Sequence, residues 1–332
     1  MNKAKVKNYI STQLATEALI HIESLKGGAS NLTFRVSAGD EQLILRTSPP
    51  GTKAQGAHNM EREFNWLKAL KPSFPLCPEA LFLCQDHAVF ERDFYAMQPI
   101  DGIIIRQQLP QTFNPKQSPE LCKALIETHC QLHQSDGEAV RAFDKGRGYI
   151  QRQISGWTTR YLKVRPQADK AQAVMDWLQN NMPEDNSTYC PIHNDFKFDN
   201  VVFDEQSTDK PQIIGVLDWE LATVGDPLMD LGCSLAYWIE ADDHALLKQC
   251  AMMPTHLPEM MSRDELVHYY CQKSGIELDD YRFYYVYGLF RLAVIVQQIF
   301  FRYENGQNPN PAFASLGAIR DLMIQQALQQ LK

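Results

Sequence analysis

The sequence predicts an α+β chain of two lobes, a small antiparallel β lobe followed by a larger, mainly helical lobe. Three observations carry this prediction. Short β-rich runs separated by turns fill the first part, helical periodicity dominates after Ser118, and one hairpin near residue 200 interrupts the helices. We expect the N-terminal lobe to span residues 1–98 and the C-terminal lobe residues 99–332.

The N-terminal elements follow from turn residues and apolar spacing. After an opening helix come a strand, a Gly-rich turn and two further strands, LTFRVSA and EQLILRT, which the turn Gly39-Asp40 joins. The segment MEREFNWLKAL spaces Phe64, Leu67 and Leu70 as in a helix. Two further apolar runs, ALFLC and HAVFERDFYAMQPI, complete a small sheet that ends near residue 98.

The C-terminal elements are helices with one exception. Ser118-Pro-Glu is typical of a helix start, and FDNVVFDEQSTDKPQIIGVLDWE reads as a hairpin whose two β-rich runs flank a polar loop. The run from Phe283 to Phe301 is nearly long enough to span a bilayer. Because Arg291, Gln297 and Gln298 lie inside it, we expect a buried core helix instead.

Composition narrows the class of protein. A chain of 332 residues with 44% hydrophobic and 22% charged residues is typical of a soluble globular protein. Its net charge of −8 disfavours nucleic acid and membrane surfaces as partners, since both attract basic chains. The N-terminus lacks an apolar core of signal-peptide length, so we expect a cytoplasmic protein, and eight cysteines without a CxxC pair indicate reduced thiols.

The strongest chemical signal is the run HNDFKFDN, followed after the hairpin by Leu-Asp-Trp-Glu. Phosphoryl transfer needs a carboxylate that orients and deprotonates the attacking hydroxyl, and oxygen ligands that hold magnesium on the phosphates. Asp195 suits the first task, and Lys197 could neutralise charge on the transferring group. Asn200 and Asp218 suit the second, because the hairpin returns Asp218 alongside the loop.

Other polar residues near this signal are expected to be structural. We predict that His193 holds the loop, and that Asp226 and Asp230 cap a helix and brace the catalytic loop. His129 and His133 have the spacing of a zinc helix, but no glutamate follows the first and no third ligand is evident. A packed helix is the favoured interpretation there.

These motifs carry a resemblance to a known family. The matching stretches run from residue 27 to 232 and include GGASNLTF, LILRTSPPG, RQISGWTTRY, HNDFKFDN and VLDWELATVGDPLMDLG. The chain resembles the aminoglycoside-phosphotransferase-like and choline-kinase-like superfamily, and is similar to the phosphotransferase domain that some animal proteins carry ahead of an acyl-CoA dehydrogenase. The resemblance implies a two-lobed protein-kinase-like fold, with ATP and Mg²⁺ as cofactors and the alcohol group of a small molecule as acceptor.

The same resemblance implies a nucleotide site. Arg46, in Leu-Ile-Leu-Arg, stands where kinases carry a phosphate-binding lysine, and Glu63 is its expected partner. For Arg46 and Glu63 the alternative is an ordinary surface ion pair. For the Gly-rich turn the alternative is a plain hairpin turn. The residues assigned to the nucleotide are Gly28, Ser30 and Asn31 over the phosphates, Arg46 and Glu63, and the hinge residues Met97 and Gln98.

The acceptor site is predicted from a polar stripe on the helix around Arg291. That stripe faces either the cleft or solvent. In the cleft, two arginines favour an acceptor that carries a carboxylate or phosphate beside its hydroxyl. The candidate acceptor residues are Trp157, Arg160, Tyr161, Glu220, Arg291 and Arg302.

Competing functions remain at this point. A protein kinase needs a long activation segment ending in Ala-Pro-Glu, and only VGDPLMDLG follows DWELAT. Aminoglycoside, choline or sugar kinases stay open, as does a nucleotide-binding pseudokinase scaffold, for which Arg46 is the only argument. The sequence separates neither ATP from GTP nor one oligomeric state from another.

Overall fold

The structure is a computed structural model, and it describes residues 3–25, 31–50, 58–167, 170–185, 189–207, 210–307 and 310–331. Within these ranges the predicted α+β class is confirmed. An antiparallel five-stranded sheet comes first and a mainly helical part follows.

The N-terminal sheet has the strand order β1-β2-β3-β5-β4, with all neighbours antiparallel. Along β3, alternation sends Leu43 and Leu45 to one hydrophobic cluster and Ile44 to another. Arg46 therefore lies on the same face as Ile44. The strands are β1 Ile20–Leu25, β2 Leu32–Ala38, β3 Glu41–Thr47, β4 Ala80–Cys84 and β5 Phe94–Met97.

Two helices, α1 Lys3–Leu14 and α2 Met60–Leu70, accompany the sheet. The α2 helix begins at Asn59, whose side chain accepts a hydrogen bond from the Arg62 amide at 2.9 Å, a cap that stabilises a helix by about 1 kcal/mol. Its apolar face, with Trp66 fully buried, joins a core that continues into the C-terminal part.

The C-terminal part holds the remaining helices and two small two-stranded sheets, one pairing β6 with β9 and the other β7 with β8. The strands are β6 Cys190–Ile192, β7 Val201–Phe203, β8 Ile213–Val216 and β9 Thr223–Gly225. The helices are α3 Ser118–His133, α4 Tyr149–Val164, α5 Ala171–Asn180, α6 Pro227–Tyr237, α7 Ala245–Gln249, α8 Arg263–Ser274, α9 Arg282–Glu304 and α10 Leu316–Gln329.

The long helix α9 is the centre of the C-terminal core, as predicted. By length and composition it could cross a membrane, but 78% of its most apolar window is buried inside the protein. It crosses α6 at Gly288 and Gly232 so closely that a Cβ on either glycine would lie within 2.1 Å of a backbone oxygen. These two glycines bring the helix carrying Arg291 close to the helix carrying Asp230.

The connection between the two parts begins after Met97. The Gln98 amide donates to the Glu79 carbonyl at 2.9 Å, and Ile103 and Phe203 exchange two backbone hydrogen bonds of 2.8 Å. The sheet thus ends next to the predicted lobe boundary. Because one core runs through α2 into the C-terminal part, the division into lobes stays a prediction.

Candidate active site

The catalytic loop predicted at residues 193–200 connects β6 to β7. Asn194 adopts the left-handed conformation with φ 65°, which asparagine tolerates better than most residues. Asp230 at the start of α6 accepts hydrogen bonds from the His193 amide at 2.8 Å and the Asn194 amide at 2.6 Å. The predicted brace of this loop by Asp230 is therefore present, and Asp226 caps α6 through the Leu228 amide.

The Asp195 carboxylate is held at one oxygen and bare at the other. Lys197 Nζ and Asn200 Nδ2 both donate to Oδ2, and Asn200 Nδ2 also donates to the Asp195 carbonyl at 2.8 Å. Oδ1 is buried and accepts no hydrogen bond from the described residues. The Tyr237 phenol lies close to the carboxylate. Lys197 and Asn200 thus fix the orientation of the Asp195 carboxylate.

Lys197 is a buried cation among acids. Burial lowers its pKa, but the carboxylates of Asp195 and Asp199 outweigh burial and raise the pKa above its usual value. Asp199 Oδ1 lies 3.5 Å from Lys197 Nζ, and burial raises the pKa of Asp199 despite that neighbour. Lys197 therefore stays charged and keeps the Asp195 carboxylate in place.

Asp218 and Glu220 converge on Arg46. Asp218 has φ 64°, and its Oδ1 pairs with Arg46 Nη2, which also lies 3.1 Å from Glu220 Oε2. Burial alone would raise the pKa of Asp218, but the Arg46 guanidinium holds it below its usual value. Glu220 also accepts from Asn31 Nδ2 at 2.8 Å, so this acidic pair joins the sheet to the C-terminal part.

The predicted Arg46–Glu63 pair is present and buried. Nε of Arg46 lies 3.4 Å from Glu63 Oε2, and neither atom makes a well-oriented hydrogen bond, so this contact is an ion pair only. Burial alone would lower the pKa of Arg46, but Glu63 and Asp218 raise it well above its usual value. Arg46 is therefore a permanent cation that faces three carboxylates.

The structure describes only some of the other residues that were predicted to bind the nucleotide. Gly28 and Ser30 lie outside the described residues, whereas Asn31 is buried between Glu220 and His58 Nδ1, which is 3.0 Å from Asn31 Oδ1. At the hinge, Met97 pairs within the sheet. The Gln98 amide already donates to the Glu79 carbonyl, so it is not available to an adenine edge in this conformation.

The two histidines of α3 meet Asp230 in the protein interior. His129 Nε2 and His133 Nε2 lie 3.0 and 3.1 Å from Asp230 Oδ2, and Tyr270 Oη lies 2.7 Å from His133 Nδ1. Burial lowers the pKa of His129 to about 4. Asp230 is the neighbour that the sequence did not reveal, and since neutral rings can donate to its carboxylate, the cluster extends the brace of the catalytic loop.

A cavity of about 360 Å³ opens beside the catalytic loop, with Asn194 in its lining. One face of α4 contributes Gln153, Gly156, Trp157 and Arg160, which have the i, i+3, i+4, i+7 spacing of a single helix face. Among the described residues its lining is strongly basic. The charged lining residues are Arg62, Lys145, Arg152, Arg160 and Arg291 against the carboxylate of Glu220.

Arg291 is the most unusual of these side chains. It is 2% exposed and makes no ion pair or hydrogen bond with any described residue, and its guanidinium carbon lies 5.3 Å from the centre of the Trp157 ring. Arg160, which is exposed, lies 4.6 Å from the same ring. One buried and one exposed guanidinium therefore lie over the indole ring of Trp157.

Two predicted acceptor residues lie elsewhere. Tyr161 is 2% exposed and packs on Phe290 with ring centres 5.9 Å apart, because it is rotated about 100° around α4 from Arg160. Arg302 is exposed near the end of α9, about 16 Å along the axis from Arg291, and its Nε donates to the Gln298 carbonyl. Neither residue lines this cavity, and their assignment to the acceptor stays a prediction.

Several lining residues were missed by the sequence analysis. Gln153 could have been found from the helical spacing it shares with Trp157 and Arg160. Arg62 had no such signal: it reaches the C-terminal part from α2, where its Nη2 donates to the Ala222 carbonyl. Its position depends on how two distant segments pack.

The residues at the site fit a magnesium ion. Asn200 turns its amide nitrogen inward to Asp195, which leaves its oxygen without a hydrogen bond from the described residues. The Asp218 side chain is 33% exposed and ionised, and oxygen atoms of these two types are the ligands that Mg²⁺ prefers.

Solved structures share this fold. A provisionally named aminoglycoside phosphotransferase from Ralstonia eutropha has a TM-score of 0.80 at 24% identity, with 99% of this chain and 98% of that chain covered. Aminoglycoside phosphotransferase APH(4)-Ia, in a ternary complex with AMP-PNP and hygromycin B, has a TM-score of 0.62 at 14% identity, with 97% and 98% covered. At these identities the likeness shows the fold alone.

Curated relatives are more similar in sequence. Acyl-CoA dehydrogenase family member 11 from Homo sapiens is 32% identical over 299 residues, which make up 88% of this chain and 37% of that protein. Family member 10 from Mus musculus is 30% identical over 331 residues, or 97% of this chain and 30% of that protein. The chain thus spans about a third of the length of these relatives. A model of the phosphotransferase enzyme family matches residues 21–277, and the chain belongs to that family.

Proposed function

We propose that this chain moves the γ-phosphoryl of ATP onto a hydroxyl of a small acceptor that also carries an anionic group, such as a hydroxylated acid or acyl compound. One observation carries the acceptor class: Arg291 is a buried guanidinium that lines the cavity beside the catalytic loop and forms no ion pair or hydrogen bond with a described residue. The names of the curated relatives make acyl compounds worth testing.

A buried charge without a partner destabilises the folded protein. Transfer of a cation out of water costs several kcal/mol unless an anion or hydrogen bonds compensate it. Other buried guanidinia in this chain have carboxylate partners, as Arg46 has Glu63 and Arg263 has Glu240. Arg291 instead faces the aromatic ring of Trp157 and the cavity, where an acceptor carboxylate or phosphate would complete its pairing.

The chain's own residues account for the reaction as follows. The Asp195 carboxylate accepts the proton of the acceptor hydroxyl as the hydroxyl oxygen forms a bond to the γ-phosphorus. The bond from that phosphorus to the β-phosphate oxygen breaks, releasing ADP. Lys197 and Asn200 fix Asp195 through Oδ2. Asn194 ties the loop to the segment after Asp218 through the Leu221 carbonyl at 3.0 Å.

Asn200 and Asp218 would hold the magnesium ion, which neutralises charge on the β- and γ-phosphates when bound. Arg46 is positioned by Glu63 and lies against Asp218, so its guanidinium is available at the place where the phosphates would approach that acid. Because Arg46 keeps its charge at any physiological pH, it can replace a lysine in this role.

The alternative acceptors are disfavoured by charge. Aminoglycosides and choline are cations, and they would meet five basic side chains and one carboxylate around the cavity. A neutral sugar would leave Arg291 unpaired. A pseudokinase scaffold would bind nucleotide without turnover, although Asp195, Asn200 and Asp218 are all present.

The test is magnesium-dependent ADP release by the purified chain against a panel matched in size: hydroxy acids and their thioesters, sugars, choline and a kanamycin-like amine. We expect turnover with the anionic compounds and a phosphorylated product by mass spectrometry, with Asp195→Asn as the inactive control. Efficient phosphorylation of the amines with inert hydroxy acids would refute the acceptor class. Nucleotide binding without turnover on any compound would favour the scaffold.

A further inference from the structure

Gly156 lies in the middle of α4, on the face that lines the cavity. Glycine inside a helix is unfavourable relative to alanine, because it loses more backbone freedom on folding. A glycine at such a position is therefore explained either by close packing against the rest of the protein or by space left for a bound molecule.

Close packing explains the other glycines in the α-helices of the described chain. At Gly232 and Gly288 a Cβ would meet a backbone oxygen at 2.1 and 2.0 Å, and at Gly317 it would meet the Phe300 ring at 2.8 Å. At Gly156 a Cβ would meet only Nη1 of Arg160 at 3.2 Å, the far end of a flexible and exposed side chain. The protein itself therefore leaves room for a side chain at Gly156.

The neighbours of Gly156 on this face are large. Arg152 and Gln153 precede it by one turn, and Trp157 and Arg160 follow it, so Gly156 forms a gap in an otherwise filled wall. The gap gives the cavity direct access to the α4 backbone. The buried Arg291 guanidinium lies over the ring of Trp157, the residue next to Gly156.

We infer that Gly156 determines which acceptors fit: the body of the acceptor, the part that carries neither the hydroxyl nor the anion, lies in van der Waals contact with the α4 backbone at Gly156. This inference rests on the proposed function, because it concerns the acceptor of that reaction. A side chain at position 156 would narrow the cavity and exclude wide acceptors first, while the nucleotide, which is assigned to other residues, would bind as before.

The test compares Gly156→Ala and Gly156→Met with wild type on anionic acceptors of increasing width. We expect kcat/KM for the widest accepted compound to fall roughly tenfold with alanine and further with methionine, since overpacking opposes binding. The KM for Mg-ATP should stay within about twofold. Thermal stability should rise by roughly 1–2 °C with alanine, because helix propensity improves. Ser155→Ala, at an exposed neighbour bonded to its own helix, is the matched control and should leave all constants unchanged.

A double variant distinguishes two causes of a loss in Gly156→Ala: direct contact of the new side chain with the acceptor, and displacement of the Arg160 side chain. If Gly156→Ala acts on the acceptor itself, its loss persists in an Arg160→Ala background. If the loss disappears there, or if both Gly156 variants turn over the widest acceptor like wild type, the inference is overturned while the proposed function stands. A wild-type chain that phosphorylates no compound in the panel overturns the proposed function and this inference together.

Discussion

Replacement of Arg291 gives the sharpest test of the acceptor class, because the same indole carries a second guanidinium for comparison. Arg291 is 2% exposed and Arg160 is exposed, yet both lie over Trp157, at 5.3 and 4.6 Å. If an acceptor anion binds between them, burial decides how much each arginine contributes. We therefore compare Arg291→Met, which keeps most of the packing volume, with Arg160→Met.

We expect the two substitutions to raise the acceptor KM by different amounts, because only Arg291 is buried. Two unit charges 4 Å apart interact by about 4 kcal/mol at an effective dielectric constant of about 20, and truncation of one partner in a buried pair costs roughly 2–5 kcal/mol. Arg291→Met should therefore raise the acceptor KM about 30-fold or more. An exposed pair contributes at most about 1 kcal/mol, so Arg160→Met should change the acceptor KM by no more than about fivefold.

The assay is steady-state ADP release with acceptor and ATP varied separately, and thermal unfolding of each variant. The KM for ATP should be nearly unchanged in both. Since Arg291 forms no ion pair with a described residue, the Arg291→Met variant should unfold at or above the wild-type temperature. Equal effects of the two substitutions, or a loss at Arg291 that an uncharged acceptor shares, would refute the assignment of Arg291 to an acceptor anion.

Four further outcomes can be measured. Asp195→Asn should abolish turnover and leave nucleotide affinity nearly intact, because the base acts on the acceptor; a variant that keeps most of kcat would contradict this role. Asp218→Asn should weaken Mg-ATP binding in a direct titration, since a charged oxygen ligand is lost, and unchanged affinity would place the ion elsewhere. Arg46→Lys should keep a measurable fraction of activity and Arg46→Ala should not; wild-type activity of the alanine variant would make Arg46 an ordinary strand-end charge. His129 has a folded-state pKa of about 4 against about 6.5 when unfolded, so the unfolded state binds the extra proton and the free energy of unfolding should fall by about 2 kcal/mol between pH 7 and pH 5. His129→Gln should remove that part of the decrease in urea titrations, and an unchanged pH profile would show that His129 is not its source.

Local patterns were sufficient for the fold class and for the catalytic loop. Periodicity fixed the helix at Met60–Leu70 and the buried helix around Arg291, because amphipathic spacing is a property of one segment. The contacts around Asp195 were not predicted: the sequence assigned Lys197 to the transferring group and Asn200 to the metal, whereas in the structure both also donate to Asp195 Oδ2. The Arg46–Glu63 pair was predicted from the resemblance and is present in the structure.

The acceptor cavity was decided by tertiary structure. Trp157 and Arg160 line the cavity, whereas Tyr161 lies in the core, about 100° around α4 from Arg160. No local sequence pattern gives that rotation. Arg302 lies outside the cavity because a stripe on a long helix runs past the position that its central residue reaches.

By itself, the sequence predicted the residues proposed for the transfer, because Asp195, Lys197 and Asn200 are neighbours within eight residues of one loop. The packing of α4, α9 and α2 around that loop forms the cavity proposed for the acceptor. Arg62 enters the cavity from the other part of the chain, and Arg291 lines it as a buried guanidinium that forms no ion pair with a described residue. Complementarity between distant segments depends on crossing angle and rotation of whole helices, and these are properties of the folded core.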